Sequence, residues 1–188
     1  MGLGLQAGPS AASYYGSSSY VHVEPLLRKS GRLLIVSPYI DDYYAYRLAR
    51  SHSKEVYVIS SSIHADTAKK LMGSRLGDAA FAVFVLAAIN ALMLQLSMFS
   101  VPVFAVSVLF SAYVVRHALR HRNGVRLKVP KQFVHAKMYI GDGIAVEGSA
   151  NLTYAGMHRN IERIRVVTEV GEIEAMRKSF WRLWGSVG

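Results

Sequence analysis

In the stretch HAKMYIGDGIAVEGSAN, His135 to Asn151, a histidine, a lysine, a serine and an asparagine stand among alternating apolar residues. The runs AKMYI and IAVEGS read as two short strands, with GDG, residues 141–143, as the turn between them. Residues two apart on a strand share a face, which pairs His135 with Lys137 and Ser149 with Asn151. Closing the hairpin sets the start of one strand beside the end of the other, so all four side chains can converge. Attack on a phosphodiester needs such a set. An imidazole can carry a phosphoryl group transiently, while an ammonium and neutral donors hold the anionic oxygens.

The spacing His-x-Lys-x4-Asp, followed by Gly-Ser-x-Asn, resembles the signature of the phospholipase D superfamily, with His135, Lys137, Asp142, Gly148, Ser149 and Asn151 in order. Glu162, in HRNIER, matches a further acidic residue usual in the small single-motif members. The resemblance implies that His135 is the nucleophile, that Lys137 and Asn151 bind phosphate and that Ser149 supports them. It also implies that Glu162 orients the imidazole and that Asp142 is mainly structural. The departing alkoxide needs a proton from a second group, and the motif occurs once. His22 and His158 lack the His-x-Lys context. The resemblance implies a two-fold homodimer in which one His135 attacks and the other protonates the leaving group.

The elements that must position these groups alternate along the chain. EPLLRKSG reads as a short helix stopped by Gly31, and RLLIVSPYI as a buried strand. DDYYAYRLARSHS predicts a helix capped by Asp41, KEVYVISSS a strand, ADTAKKLMGSR a helix and VRLKV a third strand. RIRVVTE and an amphipathic helix, with Ile173, Met176, Phe180 and Trp184 at helical spacing, close the domain. Strands alternating with helices imply an α/β sandwich with a mixed sheet, the order that the resemblance also implies. The expected catalytic domain covers residues 21–78 and 116–188.

Its interruption is apolar. From Ala79 to Val115 there are 37 positions without a charge. One bilayer crossing takes ~20 residues, so the run suits two, with a turn at SMFSVP. A hairpin also returns the chain to the side it left, which keeps the sheet in one compartment. Residues 79–115 are thus expected to form a transmembrane helical hairpin. Lys69, Lys70 and Arg75 before it, and Arg116, Arg120 and Arg122 after it, place the catalytic domain and both termini on the cytoplasmic side of the cell membrane. If the first three strands are parallel, the hairpin leaves the sheet edge opposite the catalytic groups, ~20–30 Å from them. The competing account is a soluble helical pair buried in an oligomer interface.

Composition narrows the chemistry. The 188 residues include no cysteine, which excludes disulfides and thiolate zinc sites. His117 and His121 lie four apart without a third ligand nearby, so neither a metal nor another cofactor is expected. A net charge of +10 points to a polyanion, either nucleic acid or an anionic lipid surface. Residues 1–20 carry no charge and read as a disordered or loosely docked tail. MGLGLQ has Gln6 where a myristoylation site wants Ser or Thr. Three functions remain: a membrane-tethered phosphodiesterase acting on nucleic acid, slightly favoured; a phospholipase D or phosphatidyl transferase acting on phospholipid; and a membrane-associated binding protein with a silent site.

Overall fold

Short apolar runs become a seven-stranded sheet in the computed structural model, which describes residues 11–72, 81, 84–89, 91, 106, 108–113 and 124–187. The chain divides into two compact units, one of Met1–Met72 with Asn123–Gly188 and one of Gly73–Arg122. The first unit runs β1 (Ala11–Gly16), α1 (Tyr20–Lys29), β2 (Arg32–Val36), α2 (Asp42–Ala49), β3 (Glu55–Ile59), α3 (Ala65–Met72) and β4 (Gly124–Lys128). It continues through β5 (Met138–Ile140), β6 (Ala145–Gly148), α4 (Tyr154–His158), β7 (Glu162–Val167) and α5 (Val170–Ser186).

The strand order is β1-β7-β6-β5-β2-β3-β4, with β2, β3 and β4 parallel and every other pairing antiparallel. Alternation along each strand feeds two cores. On one face Leu33, Ile35, Val56, Val58, Tyr139 and Val146 pack with Val23 and Leu26 of α1, Tyr44 and Leu48 of α2, and Met157 of α4. On the other, Leu34, Val36, Ile59 and Ile140 meet Ile173, Met176 and Phe180 of α5, with Trp184 packed at the margin. This is the α/β sandwich with a mixed sheet that the alternation of elements predicts. Asp41 caps α2 as its type suggests, its carboxylate accepting from the Tyr44 amide at 3.0 Å.

Two stretches depart from the sequence reading. Residues 11–16, expected within a loose tail, form the edge strand β1, paired along its length with β7. Without it, β7 would leave a row of backbone donors and acceptors unpaired. Tyr14 stacks on His22 with ring centroids 4.3 Å apart, and Arg163 lies over the Tyr15 ring at 5.8 Å. Helix α1 begins at Tyr20, four residues before EPLLRKSG, and carries Pro25 inside it. The hydrogen bond lost to proline is offset by burial of Val23, Leu26 and Leu27 on the same helix.

In the second unit, the expected hairpin over 79–115 lies largely outside the described residues. Its described positions, 81, 84–89, 91, 106 and 108–113, are helical, and Phe81, Phe84, Leu109 and Phe110 are exposed. Among the described residues no helix is long and apolar enough to cross a membrane, so the fold stands as a mixed α/β sheet without a described crossing.

Candidate active site

Sheet geometry selects the edge at which chemistry can occur. Met138, the first residue of β5, pairs with Val36, the last of β2, so the segment before β5 emerges at the C-terminal edge of the parallel strands. His135 and Lys137 lie in this segment, outside the ladder in which AKMYI was expected to begin. The reason is a competing partner. Ser61, just past β3, donates through Oγ to the Val134 carbonyl at 3.1 Å and accepts from the Val134 amide at 2.8 Å. Regular pairing starts only once the chain is free of that clamp.

The four polar groups still gather around the base of the hairpin. The Gly148 amide donates to the Lys137 carbonyl at 3.2 Å, which sets the end of β6 beside Lys137. Lys137 is only 7% exposed, and its Nζ lies 3.0 Å from His135 Nε2 and 2.8 Å from the His135 carbonyl oxygen. A charged ammonium can only donate, so Nε2 accepts and the ring proton rests on Nδ1. The lone pair of the candidate nucleophile is thus held by the Lys137 ammonium, and a phosphoryl oxygen that drew the ammonium to itself would free it. His135 itself is exposed to incoming substrate.

Ser149 and Glu162 form the second half. Ser149 Oγ donates to the Glu162 carboxylate and accepts from the Arg163 amide at 3.0 Å. Asn160 Nδ2 donates to the same carboxylate at 3.3 Å. Glu162, expected to orient the imidazole, here accepts from Ser149 and Asn160. Gly148 makes this approach possible, because a Cβ there would lie 2.1 Å from the Arg163 carbonyl oxygen. Asn151 Oδ1 is buried and, among the described residues, without a partner. Rotating the amide would present its donor to an anion instead. Tyr139, kept neutral by burial that pushes its phenol up, pins the neighbouring backbone by donating to the Ala150 carbonyl at 2.7 Å.

Asp142 stands apart. It occupies the turn at the far end of the hairpin and accepts from the amides of Gly31 at 2.6 Å and Arg32 at 3.2 Å. That role locks the start of β2 and involves no contact with the other five residues. A hollow of about 730 Å³ surrounds Asp142 and Arg177 at that same remote end. A smaller one, about 500 Å³, is lined by Lys137, Ser149, Arg163 and Arg165 and opens beside the candidate catalytic groups. Among the described residues no group of three or more His, Asp or Glu side chains is placed to hold a metal ion, while His117 and His121 lie outside them. His158 ends α4. Its ring stacks on Tyr20 and Tyr154, and its Nε2 lies 3.1 Å from the Tyr44 hydroxyl.

Burial pushes the Lys137 ammonium below the usual lysine range, and the Glu162 charge works against that shift. Lys137 therefore loses its proton at a lower pH than a free lysine, whose value is about 10.4. As pH rises through the folded value, the unfolded chain binds more protons than the folded one, so this group adds stability on the alkaline side. Activity that needs the cation moves the other way: kcat/KM should fall below the pH at which an ordinary lysine titrates. In Glu162→Gln the opposing charge is gone, so the alkaline limb should shift to still lower pH. A pH profile of both proteins checks this, and a limb that stays in place or rises would show that Lys137 is not the titrating cation.

Several positioning residues were not singled out from sequence. Ser61 clamps Val134, and Ser37 Oγ accepts from the Leu152 amide at 2.9 Å, next to Asn151. Their signal is a serine one or two positions past an apolar parallel strand, in IVSPY and VISSS.

With this geometry in view, the sheet order and the site define a phospholipase D-like fold. Residues 108–184 match the family described as "Cardiolipin synthase, PLD-like domain". The chain resembles Nuc of Salmonella typhimurium, described as a phospholipase D family member, at 12% identity and a TM-score of 0.57, covering 96% of this chain and 97% of that one. It resembles NucT of Helicobacter pylori at 12% identity and a TM-score of 0.55, covering 95% and 98%. TrmBL2, an archaeal chromatin protein with a novel mode of DNA binding, aligns at 11% identity and a TM-score of 0.50, over 97% of this chain and 55% of that one. No curated protein matches the sequence. Residues 108–184 thus resemble a phospholipase D-like domain, and the chain as a whole shares its fold with Nuc and NucT.

Proposed function

We propose that the protein is a phosphodiesterase that works through a phosphohistidine at His135, with nucleic acid as the favoured substrate. The observation that carries this reading is His135 Nε2 held 3.0 Å from a buried Lys137, with Ser149 and Glu162 linked beside them. In the first step the Nε2 lone pair forms a bond to phosphorus and the bond to the leaving oxygen breaks. Lys137 and the Asn151 amide balance charge on the phosphoryl oxygens. His135 of the partner subunit, as imidazolium, gives its proton to the departing alkoxide. In the second step that imidazole takes a proton from water, the water oxygen attacks phosphorus and the N–P bond breaks, restoring both rings.

A nucleic acid substrate is supported by the net charge of +10, by Arg163 and Arg165 beside the site, and by likeness in fold to Nuc and NucT. Phospholipid is the second reading, supported by the matched family's description and by the exposed apolar side chains of the second unit. In either case residues 79–115, free of charge, would anchor the protein in a membrane with both termini cytoplasmic. The test is turnover of single-stranded DNA, RNA and labelled phospholipid by detergent-purified protein, with and without EDTA. Cleavage of nucleic acid that survives EDTA is expected. Turnover of phospholipid alone would reverse the substrate, and loss on chelation would overturn the metal-free mechanism.

A further inference from the structure

Two large aromatic side chains stand exposed beside the candidate nucleophile. Tyr39 is 45% exposed and Phe133 55%. Their ring centroids are 6.0 Å apart, and Phe133 lies 6.1 Å from the His135 ring at an interplanar angle of 32°. A single exposed aromatic is ordinary on any protein surface. The backbone that carries these two is not ordinary. Ser37 Oγ donates to the Tyr39 carbonyl at 2.8 Å. Ser60 Oγ and the Ser62 amide donate to the Pro38 carbonyl at 3.2 and 2.8 Å. Tyr39 bridges to Ser62, and both the donor and the acceptor of Val134, next to Phe133, are taken by Ser61.

Ser37 and Ser60 are fully buried, so the loop carrying Tyr39 is tied to the strand ends by hydroxyls that water does not reach. The backbone beneath both rings is therefore fixed before any substrate arrives, which lowers the ordering cost on binding. We propose that Tyr39 and Phe133 form a stacking subsite for a nucleobase next to the phosphate attacked by His135. A base sits one sugar away from its phosphate, a span comparable to the separation of Phe133 from the imidazole. Its flat face can stack on one ring while its edge meets the other, inclined at 54°, and stacking tolerates any base sequence. A diacylglycerol offers no such face, so the pair would also separate the two substrate classes. This inference rests on the nucleic acid reading above.

The experiment compares wild type with the double variant Tyr39→Leu/Phe133→Leu on a single-stranded DNA oligonucleotide that is either intact or abasic at the nucleotides flanking the cleaved phosphate. For wild type, removing the bases should raise KM about tenfold. The double variant should show a similar rise on intact DNA, carried by KM more than by kcat, with little further loss on the abasic strand. Phe133→Trp, which keeps a flat face, should stay near the wild-type KM. An unchanged KM, or an equal loss on intact and abasic strands, would overturn the subsite while leaving the nuclease reading in place. A wild-type protein that cleaves phospholipid and no oligonucleotide would overturn both.

Discussion

Alanine at position 135 is expected to lower turnover by a factor on the order of 10³ or more, because a covalent route has no substitute for its nucleophile. The side chain is exposed, so its removal opens no cavity in either core and the variant should melt like wild type. Its loss also removes the acceptor 3.0 Å from Lys137 Nζ and leaves that buried ammonium with the His135 backbone carbonyl at 2.8 Å. Initial rates together with a thermal melt separate a chemical defect from an unfolded one. A folded variant that keeps more than about a tenth of the activity would place the nucleophile elsewhere.

The second large effect concerns the partner subunit. His158 is engaged by Tyr44 and three further tyrosines, and His22 is stacked on Tyr14, so neither stands ready beside His135 to serve as the acid. In the proposed dimer a second His135 brought up by two-fold symmetry would fill that role, and confinement to one membrane plane would raise the effective concentration of the two chains. When His135→Ala subunits are mixed in excess with wild type and allowed to exchange, activity per wild-type chain should collapse as the mutant fraction rises. Constant specific activity would mean that each chain works alone.

What was legible in the sequence was local. The order of the motif from His135 to Asn151, the cap at Asp41, and the burial of Ile173, Met176 and Phe180 at helical spacing all follow from neighbours a few residues apart. The remaining features depend on distant partners. Ser61 meets Val134 across 73 positions, and Ser37 meets Leu152 across 115, so no local pattern announces them. The Ser61 clamp also explains why His135 and Lys137 fall outside the strand that alternation suggested. β1 was missed for a related reason, since AASYYG has the composition of a tail until β7 supplies its hydrogen-bonding partner. The same holds for Glu162: its type and position were readable, but its bond to Ser149 depends on how closely Gly148 lets β7 approach.

In the proposed mechanism His135 forms a covalent bond to the phosphorus of the substrate. The most direct measurement is intact-protein and peptide mass spectrometry after mixing enzyme with an excess of cleavable phosphodiester and quenching within the first turnovers in alkaline denaturant, which preserves an N–P bond. The expected result is an added phosphoryl-linked fragment on the peptide containing His135, absent from His135→Ala and lost on longer incubation as water resolves it. Multiple turnovers with no adduct at any quench time, or an adduct on another residue, would contradict it.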